Sequence, residues 1–238
     1  MTDQQSEPTN KCNAPGGLQP PGATTADVEA DEIWAYVGMK QKTKNRKGLD
    51  APELGDAWTF IGLESNSKLV LAWELGQRTI QTTDSFMEKL DAATAGRFQI
   101  STDGLNTYPE SVNYHLGTRV DHGVIIKEYG TEGTEEERRY SPPSIIGVEK
   151  FAVHGTPEPE RICTSYVERQ NLTLRMQNRR LTRLTNAFSK KWENLRASLA
   201  LHFATYNLVR RHSTLRMTPA MKAGLTNRFW GFEDLLTA

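Results

Sequence analysis

The sequence predicts an α/β domain: a mixed five-stranded sheet flanked by helices, with an irregular insertion before the last helices. Three observations carry this. Three segments rich in aromatic and β-branched residues come first, at 28–38, 58–63 and 69–75. Segments of helical and strand-like spacing then alternate as far as residue 126. The final third, from Ser165, reads as helices alone.

The elements follow in order. Residues 1–26 are polar, rich in Pro and Gly, and hold almost no large apolar side chain. Such a stretch cannot offset its own ordering entropy, so residues 1–27 are expected to form a disordered tail. The first strand, 28–38, ends at a glycine and unusually carries acids, although burying an unpartnered carboxylate is expensive. A basic loop over 40–55 leads to a hairpin of two strands joined at 64–68. Phe86, Met87, Leu90 and Ala93 give residues 83–95 a helical spacing. Residues 98–103 form a short strand ending in Asp103, 108–116 a helix that tolerates Pro109 in its first turn, and 120–126 another strand. Residues 128–161 are the insertion, in which 145–153 suits a strand or a hairpin arm. Helices follow at 165–184 and 190–209, the latter with Ser189 as candidate N-cap and an apolar stripe through Trp192, Leu195, Leu199, Phe203 and Tyr206. A short helix begins at Thr218, and residues 226–238 are expected to pack back on the domain as a C-terminal tail. Three strands, then helix–strand–helix–strand, then helices is the order of a ribonuclease H-like domain, placed here at 28–225.

Composition narrows the function classes. The chain of 238 residues is 37% hydrophobic and has no apolar run near the roughly 20 residues of a membrane span, which predicts a soluble protein without a membrane partner. Two cysteines, Cys12 and Cys163, exclude a disulfide framework and a C-x-x-C zinc site, and a cytoplasmic location is the default expectation. The net charge of zero conceals an asymmetry. Residues 1–160 carry 15 Lys and Arg against 25 Asp and Glu, whereas 161–238 carry 14 against 4. That pattern suits a basic face for a polyanion, and equally a solvated helical surface.

Three acids stand out by context: Asp31 in the first strand, Asp103 at the end of the fourth, and Glu168 on an Arg-rich helix. In a ribonuclease H-like sheet the first and fourth strands are neighbours, and a late helix crossing the sheet brings the third acid to them. Carboxylates that close repel unless cations lie between them. Three converging carboxylates suit Mg²⁺ or Mn²⁺, and two such ions can serve an in-line displacement at phosphorus. Glu32 competes with Asp31 for the place; alternation sends the two to opposite faces, so only one is expected to join, and Asp31 is preferred.

Four blocks then carry a resemblance. Asp31-Glu-Ile-Trp-Ala-Tyr-Val, Ile100-Ser-Thr-Asp-Gly-Leu-Asn-Thr-Tyr108, Thr164-Ser-Tyr-Val-Glu-Arg-Gln-Asn-Leu and Tyr206-Asn-x-x-Arg-x-His-x-Thr-Leu occur in that order. Together they resemble the catalytic domain of DDE-type transposases of the insertion sequence 1 family. The resemblance implies a DNA transposase that cuts and joins phosphodiesters at insertion-sequence ends, with catalytic and metal-binding roles on Asp31, Asp103 and Glu168. It also implies DNA as partner in the bacterial nucleoid, and a homodimer or larger synaptic assembly. Family members place a DNA-recognition module before the first acid. Only 30 residues precede Asp31, so a separate recognition polypeptide or a truncated, catalytically silent binding or inhibitory copy is the alternative expectation. The candidate DNA-binding residues are Arg169, Asn171, Arg175 and Arg179, spaced along the helix of Glu168, with Arg180, Arg183, Lys190 and Lys191 extending the track and Arg210 and Arg211 near its end. A solvated polar helix explains the same spacing. His212 is read as a turn or helix-end residue, with phosphate contact the alternative.

Overall fold

Period-two alternation in the first strand sorts its side chains into two cores. In the computed structural model, which describes residues 27–130, 144–182 and 185–237, strand β1 spans Asp27–Val37. Val28 and Ala30 enter one core, and Ile33, Ala35 and Val37 the other. The sheet is therefore buried on both sides.

Strand β2 (Gly55–Glu64) pairs antiparallel with β1 and with β3 (Val70–Gly76), as the hairpin signal predicts. Strand β4 (Phe98–Thr102) runs parallel to β1, and β5 (Val120–Tyr129) parallel to β4. The sheet has six strands, not the expected five, in the order β3-β2-β1-β4-β5-β6. The extra one, β6 (Ile145–His154), pairs antiparallel with β5. It is the segment expected to be a strand or hairpin arm, and none of its residues is buried, so no core-facing alternation assigned it to the sheet.

Helix α1 (Gln41–Arg46) lies in the segment expected to be a loop; it buries no residue, and so leaves no apolar stripe to read. Helices α2 (Ile80–Ala92) and α3 (Tyr108–His115) cover the first core through Phe86, Met87, Leu90, Tyr108 and Val112. Helices α4 (Ser165–Gln177) and α5 (Trp192–Ala204) cover the second through Val167, Leu174, Leu195, Leu199 and Phe203.

Several expected boundaries shift for local reasons. Helix α4 stops seven residues short of residue 184, because Asn178 leaves helical geometry, bonds Ser198 Oγ through its amide at 2.9 Å and takes the Arg180 N–H at 3.2 Å. Ser189 caps nothing; its carbonyl accepts the Gly38 N–H at 2.8 Å, and α5 starts at Trp192. The chain continues from α5 into a wide π-type turn over Thr205–Val209. The short helix α6 (Pro219–Lys222) does begin at Thr218, whose hydroxyl caps Met221 N–H. The last helix, α7 (Phe232–Thr237), has no fully buried residue; the tail is tied to the domain by Trp230 N–H on Leu208 C=O, and Phe232 lines a cavity with Ser198 and His202 of α5. Among the described residues no helix is long and apolar enough to cross a membrane. The predicted tail over 1–26, the charged run at 135–139 and Arg183 lie outside the described residues.

The start of α4 is fixed to the sheet by three devices. Buried Glu29 of β1 accepts the first backbone amides of the helix, from Tyr166 at 2.7 Å and Val167 at 3.0 Å, and so supplies both partner and counter-charge to the helix N-terminus. Ser101 of β4 accepts the Cys163 N–H at 3.2 Å. Gly123 of β5 leaves the space that Ile162 fills; a Cβ there would meet Ile162 at 2.5 Å. Replacing Glu29 by Ala leaves two buried amides unpaired and is expected to cost about 1–3 kcal/mol, read as a fall in melting temperature. An unchanged melting temperature would show that α4 docks without it.

Candidate metal centre

The parallel pairing of β1 and β4 ends at Ala30 opposite Thr102. The next residues are Asp31 and Asp103, so the two acids leave adjacent strands side by side. Asp103 is held by its own turn, its Oδ1 accepting the Leu105 N–H at 3.0 Å. Past Thr102 no strand lies on the β4 edge of β1 until Ser189 bridges Val37. Asp31 reaches α4, where Asn171 Nδ2 donates to its Oδ2 at 2.7 Å. Glu32 reaches α3, where the Tyr108 hydroxyl donates to its Oε2 at 3.2 Å.

Alternation thus sends Asp31 and Glu32 to opposite faces, as expected, but the conclusion drawn from it does not hold. Carboxylate oxygens of Asp31, Glu32 and Asp103 lie within 4.8 Å of one another. Opposite faces exclude each other only where a neighbouring strand separates them, and here β4 has ended.

The electrostatics follow from that crowding. Burial, then the Asp103 and Glu32 charges, push Asp31 up to about 7. Burial and Asp103 likewise push Glu32 up to about 7, against the pull of Arg78 and Tyr108. Asp103 is raised by burial, with the Leu105 amide and Arg78 acting the other way. Fully buried Tyr108 is held well above the usual phenol range, chiefly by burial, so it stays a donor to Glu32. The three clustered carboxylates can hold a metal ion, and an all-oxygen donor set suits a hard divalent cation.

Glu168, in the first turn of α4, lines the same cleft of about 370 Å³ as Asp31 and Asp103. It stands outside the tight oxygen cluster, although its charge adds to the rise of both aspartates. Its carboxylate pairs with Lys127 of β5 and accepts the Thr164 hydroxyl at 2.6 Å. Two cleft residues escaped the sequence reading. Lys127 and Arg78 both line the cleft, and neither lies in a pattern that marks it. Tyr108 did carry a signal, since it closes the second block of the resemblance.

The basic residues divide. Asn171 is buried and spends its amide on Asp31, not on the surface. Because α4 ends at Gln177, Arg179 does not share a helical face with Glu168. Arg179 and Arg180 line a separate cavity of about 540 Å³ with Ser198, His202 and Phe232, and Arg180 donates to Ser189 Oγ. Arg175 donates to the Leu181 carbonyl. Arg169, Lys190, Lys191, Arg210 and Arg211 are exposed, Arg211 donating to the Arg216 carbonyl. His212 accepts the Leu215 N–H at 3.4 Å and pairs its backbone with Met217 and Arg216, a turn role. No protein-family model matches the chain, and no curated protein matches it.

Proposed function

We propose that the chain is a DNA transposase of DDE type, which cuts and joins phosphodiesters at insertion-sequence ends with Asp31, Asp103 and Glu168 holding divalent ions, Mg²⁺ or Mn²⁺. The observation that carries this reading is the meeting of three acids from β1, the end of β4 and α4 in one cleft. A strand order of β3-β2-β1-β4-β5 with helices on both faces supports a ribonuclease H-like domain, extended by β6.

The residues present fit the ions: clustered oxygen donors, pushed towards neutrality by burial and then by one another, are relieved by added positive charge. When bound, two divalent ions activate an attacking oxygen and neutralise the leaving one. The chain's own residues set the geometry. Asn171 aims Asp31, the Leu105 amide aims Asp103, and Thr164 aims Glu168. In the cutting step water attacks phosphorus and the 3′ oxygen leaves; in the joining step that 3′-hydroxyl attacks a target phosphodiester and displaces the target's 3′ oxygen.

The test is strand transfer by purified protein, using pre-cut candidate ends and a plasmid target with Mg²⁺ or Mn²⁺. Joined products are expected with wild type and absent with Glu168→Gln or in EDTA. Joining that survives either control would overturn the assignment. One observation favours a second reading, a catalytically silent DNA-binding or inhibitory protein: Lys127 already neutralises Glu168. Salt-sensitive DNA binding with no joining in any metal would support it.

A further inference from the structure

We propose that Arg78 is the residue that grips nucleic-acid phosphate in the cleft, aimed there by Glu32; this rests on the cleft being a phosphodiester site. Arg78 lies between β3 and α2 and lines the cleft beside Asp31 and Asp103. Two contacts fix its guanidinium. Nη2 meets Glu32 Oε1 at 2.5 Å, and the guanidinium carbon sits 4.8 Å from the centre of the Trp58 ring. A guanidinium has five donors in a planar fork, and one carboxylate oxygen does not exhaust them. The side chain remains 41% exposed and lines the cleft, which leaves it accessible to a ligand there.

Glu32 is built to hold Arg78. Its side chain is 2% exposed and both oxygens are engaged, Oε1 by Arg78 and Oε2 by the Tyr108 hydroxyl. That assigns Glu32 to orienting a cation, even though its carboxylate lies in the acidic cluster. The cleft also needs such a cation, since its acids repel a phosphodiester. Its other cation, Lys127, is paired with Glu168 and only 16% exposed. A fork already fixed by a stack and an ion pair loses little further freedom when it takes phosphate, and bidentate contact is the geometry Arg supplies best.

The experiment is fluorescence anisotropy of a labelled duplex of about 30 base pairs in Ca²⁺, over a salt series, with the full chain. Losing one phosphate contact is expected to reduce the slope of log affinity against log salt by about 0.9. Arg78→Ala should show that reduction and bind roughly 10-fold more weakly, the loss of a charge-assisted contact. Arg78→Lys keeps the charge and loses the fork, so it should restore the slope but only part of the affinity. In a Glu32→Gln background the Arg78→Ala penalty should shrink, because the fork is no longer aimed. Wild-type binding with a normal slope that Arg78→Ala leaves unchanged overturns the inference and spares the phosphodiester reading. An equal penalty in both backgrounds overturns the role of Glu32. Absence of salt-dependent binding by the wild type overturns both readings.

Discussion

Asp103→Asn protein is expected to lose strand transfer by on the order of 10³-fold and yet to melt a few degrees above wild type in EDTA at pH 8. The substitution keeps an oxygen for the Leu105 N–H, so the turn after β4 survives. It removes the charge that stands first after burial among the causes raising both Asp31 and Glu32. Without metal that charge is a liability, since three carboxylates within 4.8 Å repel one another at a pH where all are ionised. On the proposed reading it is a metal ligand when the ion is bound, and its loss then removes electrostatic stabilisation from the reaction. Opposite signs in the two measurements mark a residue kept for function at a cost in stability. Joining at the wild-type rate would remove Asp103 from the site. A lower melting temperature in EDTA would mean that its carboxylate serves the fold.

The sequence was most informative where one local rule governed the residue. Alternation in β1 marks both cores, and Asp103 at the end of a short strand falls beside Asp31 because β1 and β4 are parallel neighbours. The rule failed at Glu32, where alternation was applied past the end of the neighbouring strand. It failed again at Arg179, since Asn178 ends α4 through a bond to Ser198 on α5, a partner no local window contains. Arg78 and Lys127 were illegible for the same reason. Each is an ordinary surface-type residue by sequence, made part of the cleft by a distant acid, Glu32 for one and Glu168 for the other. Strand β6 was read as a strand or hairpin arm but not as part of the sheet, because an edge strand with no buried residue carries no core-facing pattern that would place it there.

In EDTA the melting temperature is expected to fall as pH rises from 6.5 to 8, and saturating Mg²⁺ should abolish the fall. Asp31 and Glu32 titrate near 7 in the folded chain, well above their ordinary values of 3.8 and 4.5. The native state therefore binds protons that the unfolded chain has already lost, and its stability declines as pH rises through 7. Below 6.5 the decline is masked. Burial holds His122 and His202 down to about 4, so the unfolded chain there binds the extra protons and stability moves the other way. The unfolded histidines are still half charged at 6.5 and lose that charge by about pH 7.5, so between 6.5 and 8 they offset part of the carboxyls' effect. Between 6.5 and 8 the two carboxyls lose about 1.5 kcal/mol together and the two histidines recover about half of it, which leaves a fall of roughly 2–3 °C for a domain of this size. A divalent ion must displace those protons, so its stabilisation should be small at pH 5 and large at pH 8, about 2.7 kcal/mol at 100 times its Kd. Differential scanning fluorimetry at three pH values, with EDTA and with Mg²⁺, reads both effects. A melting temperature that rises from 6.5 to 8 in EDTA would contradict the crowding of the carboxyls. An Mg²⁺ shift equal at pH 5 and pH 8 would place the ion elsewhere on the chain.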